Sequence, residues 1–315
     1  MGKDKTESRL GEERYNKQGC LMKIIEYHNC LNIIVEFQDE YKHRVHTRYS
    51  HFLSGNVRNN PPRINKEKYN NEGCLMRVVE YNDHQNIVVE FQDEYKTRVH
   101  TQYIHFLSGN VRNPYFSSVY GVGKVGNKYP ITLKSGRNTK EYNIWKGMLC
   151  RCFDKKFKDA NPTYKDATCC KEWLLFENFY EWLHKQDNFS QWHKGERWAL
   201  DKDIIFKGNK TYSSENCCLV PLYVNGVFIK CNKSRGLLPI GVTKKYDKFQ
   251  ARCMNPLTKK SEDLGTYHTP TEAFLAYKKR KEEIIKEVAE IEYRQSNITK
   301  ECYEAMMRYE VEIDD

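Results

Sequence analysis

The sequence predicts an α+β chain of several domains: two tandem small antiparallel β-barrel-like repeats, a central α+β domain, and a C-terminal three-stranded sheet followed by a long helix. Three observations predict it. One segment occurs twice, two apolar stretches then follow at helical spacing, and the last third alternates at strand period before one long amphipathic run.

The duplication begins at Gly19 with "GCLMKIIEYHNCLNIIVEFQDEYKHRVHTRYSHFLSGNVRN" and at Gly73 with "GCLMRVVEYNDHQNIVVEFQDEYKTRVHTQYIHFLSGNVRN", a shift of 54 residues. About three-quarters of the aligned positions are identical. Each unit, residues 10–60 and 64–115, reads as β structure. Met22, Ile24 and Glu26, like Met76, Val78 and Glu80, open alternating runs, and "NIIVEF" and "NIVVEF" are β-branched. Gly and Asn in "FLSGNVRN" supply turn chemistry. Tyr27, Tyr41 and Tyr49, with Tyr81, Tyr95 and Tyr103, are candidates for stacking on bases, for gripping a peptide, or for core and rim. Pro61 and Pro62 predict a stiff linker, and residues 1–9 a tail.

Residues 116–230 change character. Tyr142, Trp145, Leu149 and Cys152 recur at helical spacing, as do Trp173, Phe176, Phe179, Tyr180 and Leu183. Gly121, Gly123 and Gly126 have dinucleotide-loop spacing, but no strong strand precedes them and no convincing helix follows, so a nucleotide site is not expected. Residues 231–295 read as three short strands and a helix with Thr269 as N-cap, Pro270 at the first position and Glu272 completing a capping box. Phe274, Tyr277, Ile284, Val288 and Ile291 form its apolar stripe. Residues 296–315 predict an acidic helix with Tyr303, Met306 and Met307 available for docking.

Charge is unevenly placed. The net charge is +10, of which residues 116–230 carry about +7 and residues 231–295 about +5, while the two repeats are near neutral. A positive region of this kind favours a polyanion, nucleic acid foremost. The mean hydropathy of −0.83 and the lack of a long apolar run predict no membrane partner. The start "MGKDKTESRL" lacks an apolar signal core, so a reducing cytoplasm is expected for the twelve cysteines. The pairs Cys150/Cys152, Cys169/Cys170 and Cys217/Cys218 lack C-x₂-C spacing, and zinc is not expected.

Two stretches then resemble known families. "YNIWKGMLCRCFDKKFKDANPTYKDATCCKEWLLFENFYEWL" with "LDKDIIFKGNKTYSSENCCLVPLYVN" resembles phage and prophage HNH homing-type endonucleases over roughly residues 118–230. "PIGVTKKYDKFQARCMNPLTKKSEDLGTYHTPTEAFLAYKKRKE" resembles the APETALA-two/ethylene-response-factor type of DNA-binding domain, which often accompanies HNH nucleases in phage genomes. The duplicated unit is similar to modules at the front of such phage proteins. The first resemblance implies an HNH-related centre in which Asp201 or Asp203 binds Mg²⁺ or Mn²⁺, Asn216 braces the loop and Asn225 is the second ligand. Lys202 stands where such enzymes carry the general-base histidine, and a protonated amine cannot accept a proton. His193 is the nearest imidazole in sequence. The residues alone also allow Asp201 and Asp203 to be turn residues, with Asn209 capping a tight bend.

The second resemblance implies a sheet in the DNA groove. Lys244, Tyr246, Lys248, Gln250 and Arg252 alternate and are expected on one face, with Lys233, Arg235, Lys245, Lys259 and Lys260 near phosphates. Two functions follow. One is a phage-encoded, HNH-related, metal-dependent DNA endonuclease of homing or nicking type, acting in the cytoplasm of a bacterial host. The other is an inactive HNH-like scaffold that binds DNA, RNA or a nucleoprotein complex as a phage regulator or inhibitor of host defence. The repeats are expected to bind protein or a second nucleic-acid segment, and their duplication suits the second function, since tandem modules raise avidity.

Overall fold

The computed structural model describes residues 9–39, 42–59, 63–195, 197–228 and 238–313. Tyr41, Pro61, Pro62, Lys233 and Arg235 lie outside the described residues. The chain divides into two compact units, Met1–Asn113 and Pro114–Asp315.

The first unit holds the duplication. The first repeat is a meander of β1 (Glu13–Tyr15), β2 (Leu21–Asn29), β3 (Asn32–Phe37) and β4 (Arg44–Thr47), closed by a short helix α1 (Tyr49–Ser54). The second follows element for element: β5 (Glu67–Tyr69), β6 (Leu75–Tyr81), β7 (Ile87–Phe91), β8 (Arg98–Thr101) and α2 (Tyr103–Ser108). Alternation places Met22, Ile24, Ile33, Val35 and Phe37 on one face against Phe52, and Met76, Val78, Ile87, Val89 and Phe91 against Phe106.

The expected barrel does not close. Strand order is β1-β2-β3-β4 and β5-β6-β7-β8, so the outer strands of each sheet do not pair with one another. The helix covers the apolar face instead, which removes the need for closure. The first three residues of "FLSGNVRN", where turn chemistry is expected, are the end of this helix. Gly55 and Gly109 end the two helices at φ +69° and +74°, left-handed positions that suit glycine. Tyr103 is buried in the second core, Tyr27, Tyr49 and Tyr81 pack at the rims of the cores, and Tyr95 is exposed. Tyr27 and Tyr49 meet edge to face at 5.8 Å beneath the Arg9 guanidinium, as Tyr81 and Tyr103 do at 5.6 Å beneath Arg63.

The second unit begins with the ribbon β9 (Ser117–Val119) and β10 (Gly123–Lys124), so Gly121 lies in a hairpin turn, Gly123 opens its second strand and Gly126 follows it. Helix α3 (Lys140–Phe153) buries Tyr142, Trp145, Leu149 and Cys152, as their spacing predicts, and the Trp145 indole N–H donates to the Trp173 carbonyl at 2.7 Å. Helices α4 (Lys155–Ala160), α5 (Phe176–His184) and α6 (Phe189–Lys194) flank β11 (Thr168–Cys169). β12 (Trp198–Asp201), β13 (Thr211–Tyr212), β14 (Cys218–Pro221) and α7 (Leu222–Val227) come next.

The last part is the three-stranded sheet β15 (Val242–Lys245), β16 (Lys248–Asn255) and β17 (Lys260–Tyr267), then α8 (Pro270–Arg294) and α9 (Lys300–Met307). The capping box at Thr269 and Glu272 is formed, with Pro270 at the start of α8. Phe274, Tyr277, Ile284 and Val288 are buried; Ile291 is half-buried and Glu292 takes the core position beside it, accepting from the Tyr223 hydroxyl. α9 docks on α8 through Cys302, Ala305 and Met306.

One core runs through the second half of this unit. Ile204, Cys218, Val220, Val224 and Val227 pack in the same cluster as Val242, Ala251, Tyr277, Ile285 and Met306, on both sides of residue 230. Among the described residues, Cys152, Cys217, Cys218, Cys253 and Cys302 are buried free thiols within these cores. No helix of the described residues is long and apolar enough to cross a membrane.

Candidate functional site

β12 and β14 pair antiparallel, with Asp201 opposite Cys218, and α7 starts immediately after β14. The loop between the strands carries Asp203 and Asn216, Asp201 ends β12, Asn225 lies on α7 and His193 on α6. Asp201 ends β12 with its side chain turned back on the chain: Oδ1 accepts the N–H groups of Asp203 and Ile204, both at 2.8 Å. This is an Asx-type turn, which satisfies two backbone donors where the strand stops. Asp201 is 8% exposed. Burial first, and then the neighbouring Asp203 carboxylate, push its pKa up to about 6, against the lowering effect of the two peptide N–H bonds.

Lys202 is also buried, and its ammonium lies 3.2 Å from Oδ2 of Asp203 and 6.0 Å from the centre of the Tyr212 ring. Its role here is therefore an ion pair beneath the loop. Asn209 closes the far side, donating to the carbonyls of Lys202 and Thr211 at 2.6 and 2.8 Å and accepting from the Thr211 N–H. Asn216 donates to Asn209 at 3.4 Å, so it braces the loop through that residue. Asn225 sits half-buried on α7, its carbonyl accepting from Phe228. His193 stands on α6 with its imidazole 3.8 Å from Glu141 of α3 and beside Phe189; no hydrogen bond or ion pair among the described residues joins it to the Asp201 loop.

A divalent cation needs several hard oxygen donors converging on open space. Here one oxygen of Asp201 is held by two peptide N–H groups and an ammonium already neutralises Asp203. Among the described residues no group of three or more His, Cys, Asp or Glu converges to hold a metal. Asp201 is thus bonded to the backbone through one oxygen, and Asp203 to Lys202.

The C-terminal sheet gives a different arrangement from the expected one. β15 and β16 are joined by a two-residue turn, Tyr246-Asp247, with Lys245 opposite Lys248 and Tyr246 at φ +53°. Opposed residues share a face, so Lys245, Lys248, Gln250 and Arg252 project together, away from α8. Lys244 does not join them. It lies opposite Phe249 and shares the parity of Val242 and Ala251, which face the core. The continuous alternation assumed from sequence fails because the turn inserts two residues that belong to neither strand. Lys260 shares the parity of Asn255, also on the helix side, and Lys259 lies in the turn before β17 at φ +56°.

Tyr246 is 89% exposed at the hairpin tip. Gln250 is buried against Asp263, donating to it at 2.6 Å, so its amide is already engaged. Asp263 faces the same side as Arg252, an acid within the basic face that sequence reasoning did not place there. The Gly265 N–H, then Gln250, Arg252 and Lys245, hold its carboxyl below the usual carboxylate range. On the opposite side, Arg280 of α8 is bound by Glu262 at 2.7 Å and by Glu287 at 2.8 Å, which fastens the helix to the sheet rather than offering the guanidinium outward. No family model, curated protein or solved structure matches this chain.

Proposed function

We propose that this is a nucleic-acid-binding protein that grips its ligand with the outward face of the three-stranded sheet, and that β12, β14 and α7 serve it as a scaffold. One observation carries the reading: Lys245, Lys248 and Arg252 project from a single sheet face, with Tyr246 exposed at its tip. A strand pair presenting Lys and Arg at period two can lie in a major groove, the cations meeting phosphates and base edges. An exposed tyrosine at the rim adds a stacking surface. The APETALA-two-like resemblance of the same segment favours double-stranded DNA. A regulatory or defence-inhibiting role in a phage suits a binder of this kind.

The nuclease reading is supported by element order, since an antiparallel strand pair leads directly into a helix, as in the HNH resemblance. The donor geometry favours the scaffold reading over it. The test uses the full chain with a 30-base-pair duplex and a supercoiled plasmid. Salt-sensitive duplex binding without nicking in Mg²⁺ or Mn²⁺ is expected. Nicking abolished by both Asp203→Ala and Asn225→Ala would establish the enzyme instead. Duplex binding that survives alanine at Lys245, Lys248 and Arg252 with an unchanged salt slope would remove the proposed surface.

A further inference from the structure

The first repeat carries a groove that the nucleic-acid reading does not use. It has a volume of about 590 Å³, is open to solvent, and runs between β4 and the segment Asn56–Arg58. That volume lies within the ~300–1,000 Å³ typical of ligand clefts. Among the described residues β4 is an edge strand of its sheet, paired with β3 alone. The Phe37 N–H donates to the His43 carbonyl, and β4 then pairs with β3 from Arg44 to Thr47. In an antiparallel ladder the bonded positions alternate, so His43, Val45 and Thr47 bond to β3. The backbone N–H and C=O groups of Arg44 and His46 therefore point the other way, into the groove.

An open edge of this kind is a template for one more strand. Its side chains say what that strand should carry. Among the described residues, the groove lining holds His43, Arg44, His46 and Arg58 and no carboxylate. Arg44 is steadied by Glu36 at 2.9 Å while its side chain stays 64% exposed. Val45 and Val57 supply apolar floor. A chain alternating acidic and apolar residues meets this lining: acids toward the arginines, apolar side chains toward the valines. The same edge recurs in the second repeat, where Phe91 N–H donates to the Thr97 carbonyl and Arg98, His100 and Arg112 stand at the equivalent positions. Thr97 in place of His43 is the one change among the lining residues.

We infer that the free edges of β4 and β8 are docking sites for extended acidic segments of a protein partner, taken up by strand addition. Two copies in one chain allow one partner with two such segments, or a dimer, to be held by both. A strand added at β4 forms main-chain bonds with residues 44 and 46, so these amides report it directly.

The experiment uses the full-length chain and three eight-residue peptides, end-capped: alternating Glu and Val, alternating Lys and Val, and alternating Glu and Pro. Residue-resolved hydrogen exchange is followed at Arg44, His46, Arg98 and His100. The Glu-Val peptide is expected to slow exchange at these amides by about tenfold, the Lys-Val and Glu-Pro peptides to leave it unchanged. Arg44→Glu with Arg58→Glu should abolish the effect at β4 and preserve it at β8, which also shows that the variant is folded. His46→Pro should do the same by removing an outward N–H. Equal protection by the Lys-Val peptide, protection of the same amides by a DNA or RNA oligonucleotide, or no protection by the Glu-Val peptide would each overturn the inference.

Discussion

The side-chain nitrogen of Asn188 donates to two carbonyls at once, those of Leu219 and Asn297, each at 2.9 Å. Asn188 is 1% exposed; its bond to Leu219 is buried and its bond to Asn297 part-buried. They tie the segment before α6 to β14 and to the junction of α8 and α9. A buried amide that loses two partners costs each its bond and leaves two carbonyls unsatisfied. Asn188→Ala is expected to destabilise the second unit by about 2–3 kcal/mol, read from its urea midpoint. Asn188→Asp should cost more, since an acceptor then faces two acceptors; a midpoint unchanged in both variants would contradict the arrangement.

Asp201 makes stability fall as pH rises. Its folded pKa of about 6 lies above the ordinary carboxylate value of 3.8, so the folded state holds the proton more tightly than the unfolded state. This contribution is fully present below about pH 4 and is lost as pH rises through about 6. Asp201→Asn keeps an oxygen for the two peptide N–H groups and removes the titration. The variant is expected to be more stable than the parent at pH 8 by about 1–3 kcal/mol, with the difference vanishing near pH 4. Parallel stability profiles between pH 4 and 8 would show that Asp201 is not buried as described.

Gly241 turns the chain into β15 at φ +75°, directly over the Tyr277 ring of α8. A Cβ there would come within 2.0 Å of the ring, which is itself buried in the core. Gly241→Ala is expected to cost about 3 kcal/mol or more through strain and displaced packing. Duplex affinity should fall with it, because the sheet face is aimed by its seat on α8. A thermal midpoint within a degree of the parent would refute the close approach.

Face assignment gives a sharp contrast in salt dependence. Alanine at Lys245, Lys248 and Arg252 removes three cations from the outward face and should lower the slope of log K against log salt by about 2–3. Alanine at Lys244 and Lys260, whose parity is the helix side, should lower it by less than about 1. Equal slopes for the two variants would mean that the ligand does not lie on this face.

Much of this fold is legible along the chain because it is local. The duplication, the strand alternation around Met22 and Met76, the helical spacing of Tyr142 to Cys152, and the capping box at Thr269 each depend on neighbours within a few turns. Three features were not legible. The helices at Tyr49 and Tyr103 are only six residues long and owe their stability to Phe52 and Phe106 in the core. The face of Lys244 depended on a two-residue turn whose register no periodicity displays. The Asp201 loop offered two readings, ligand or turn, and only the distances to Asp203 and Ile204 place its oxygen on the backbone.

By itself the sequence determined the repeat, the types of the longer elements, the basic half of the chain and which residues have the chemistry to hold a polyanion. Tertiary structure alone decided which of those residues share a surface, because face and partner depend on strand register and on groups distant in sequence. It set Lys245 rather than Lys244 beside Arg252, bound Arg280 to Glu262, and joined residues either side of position 230 in one core. Among the described residues it also left β4 and β8 as edge strands, since that outcome turns on a sheet remaining open, which the alternation of a single strand does not encode.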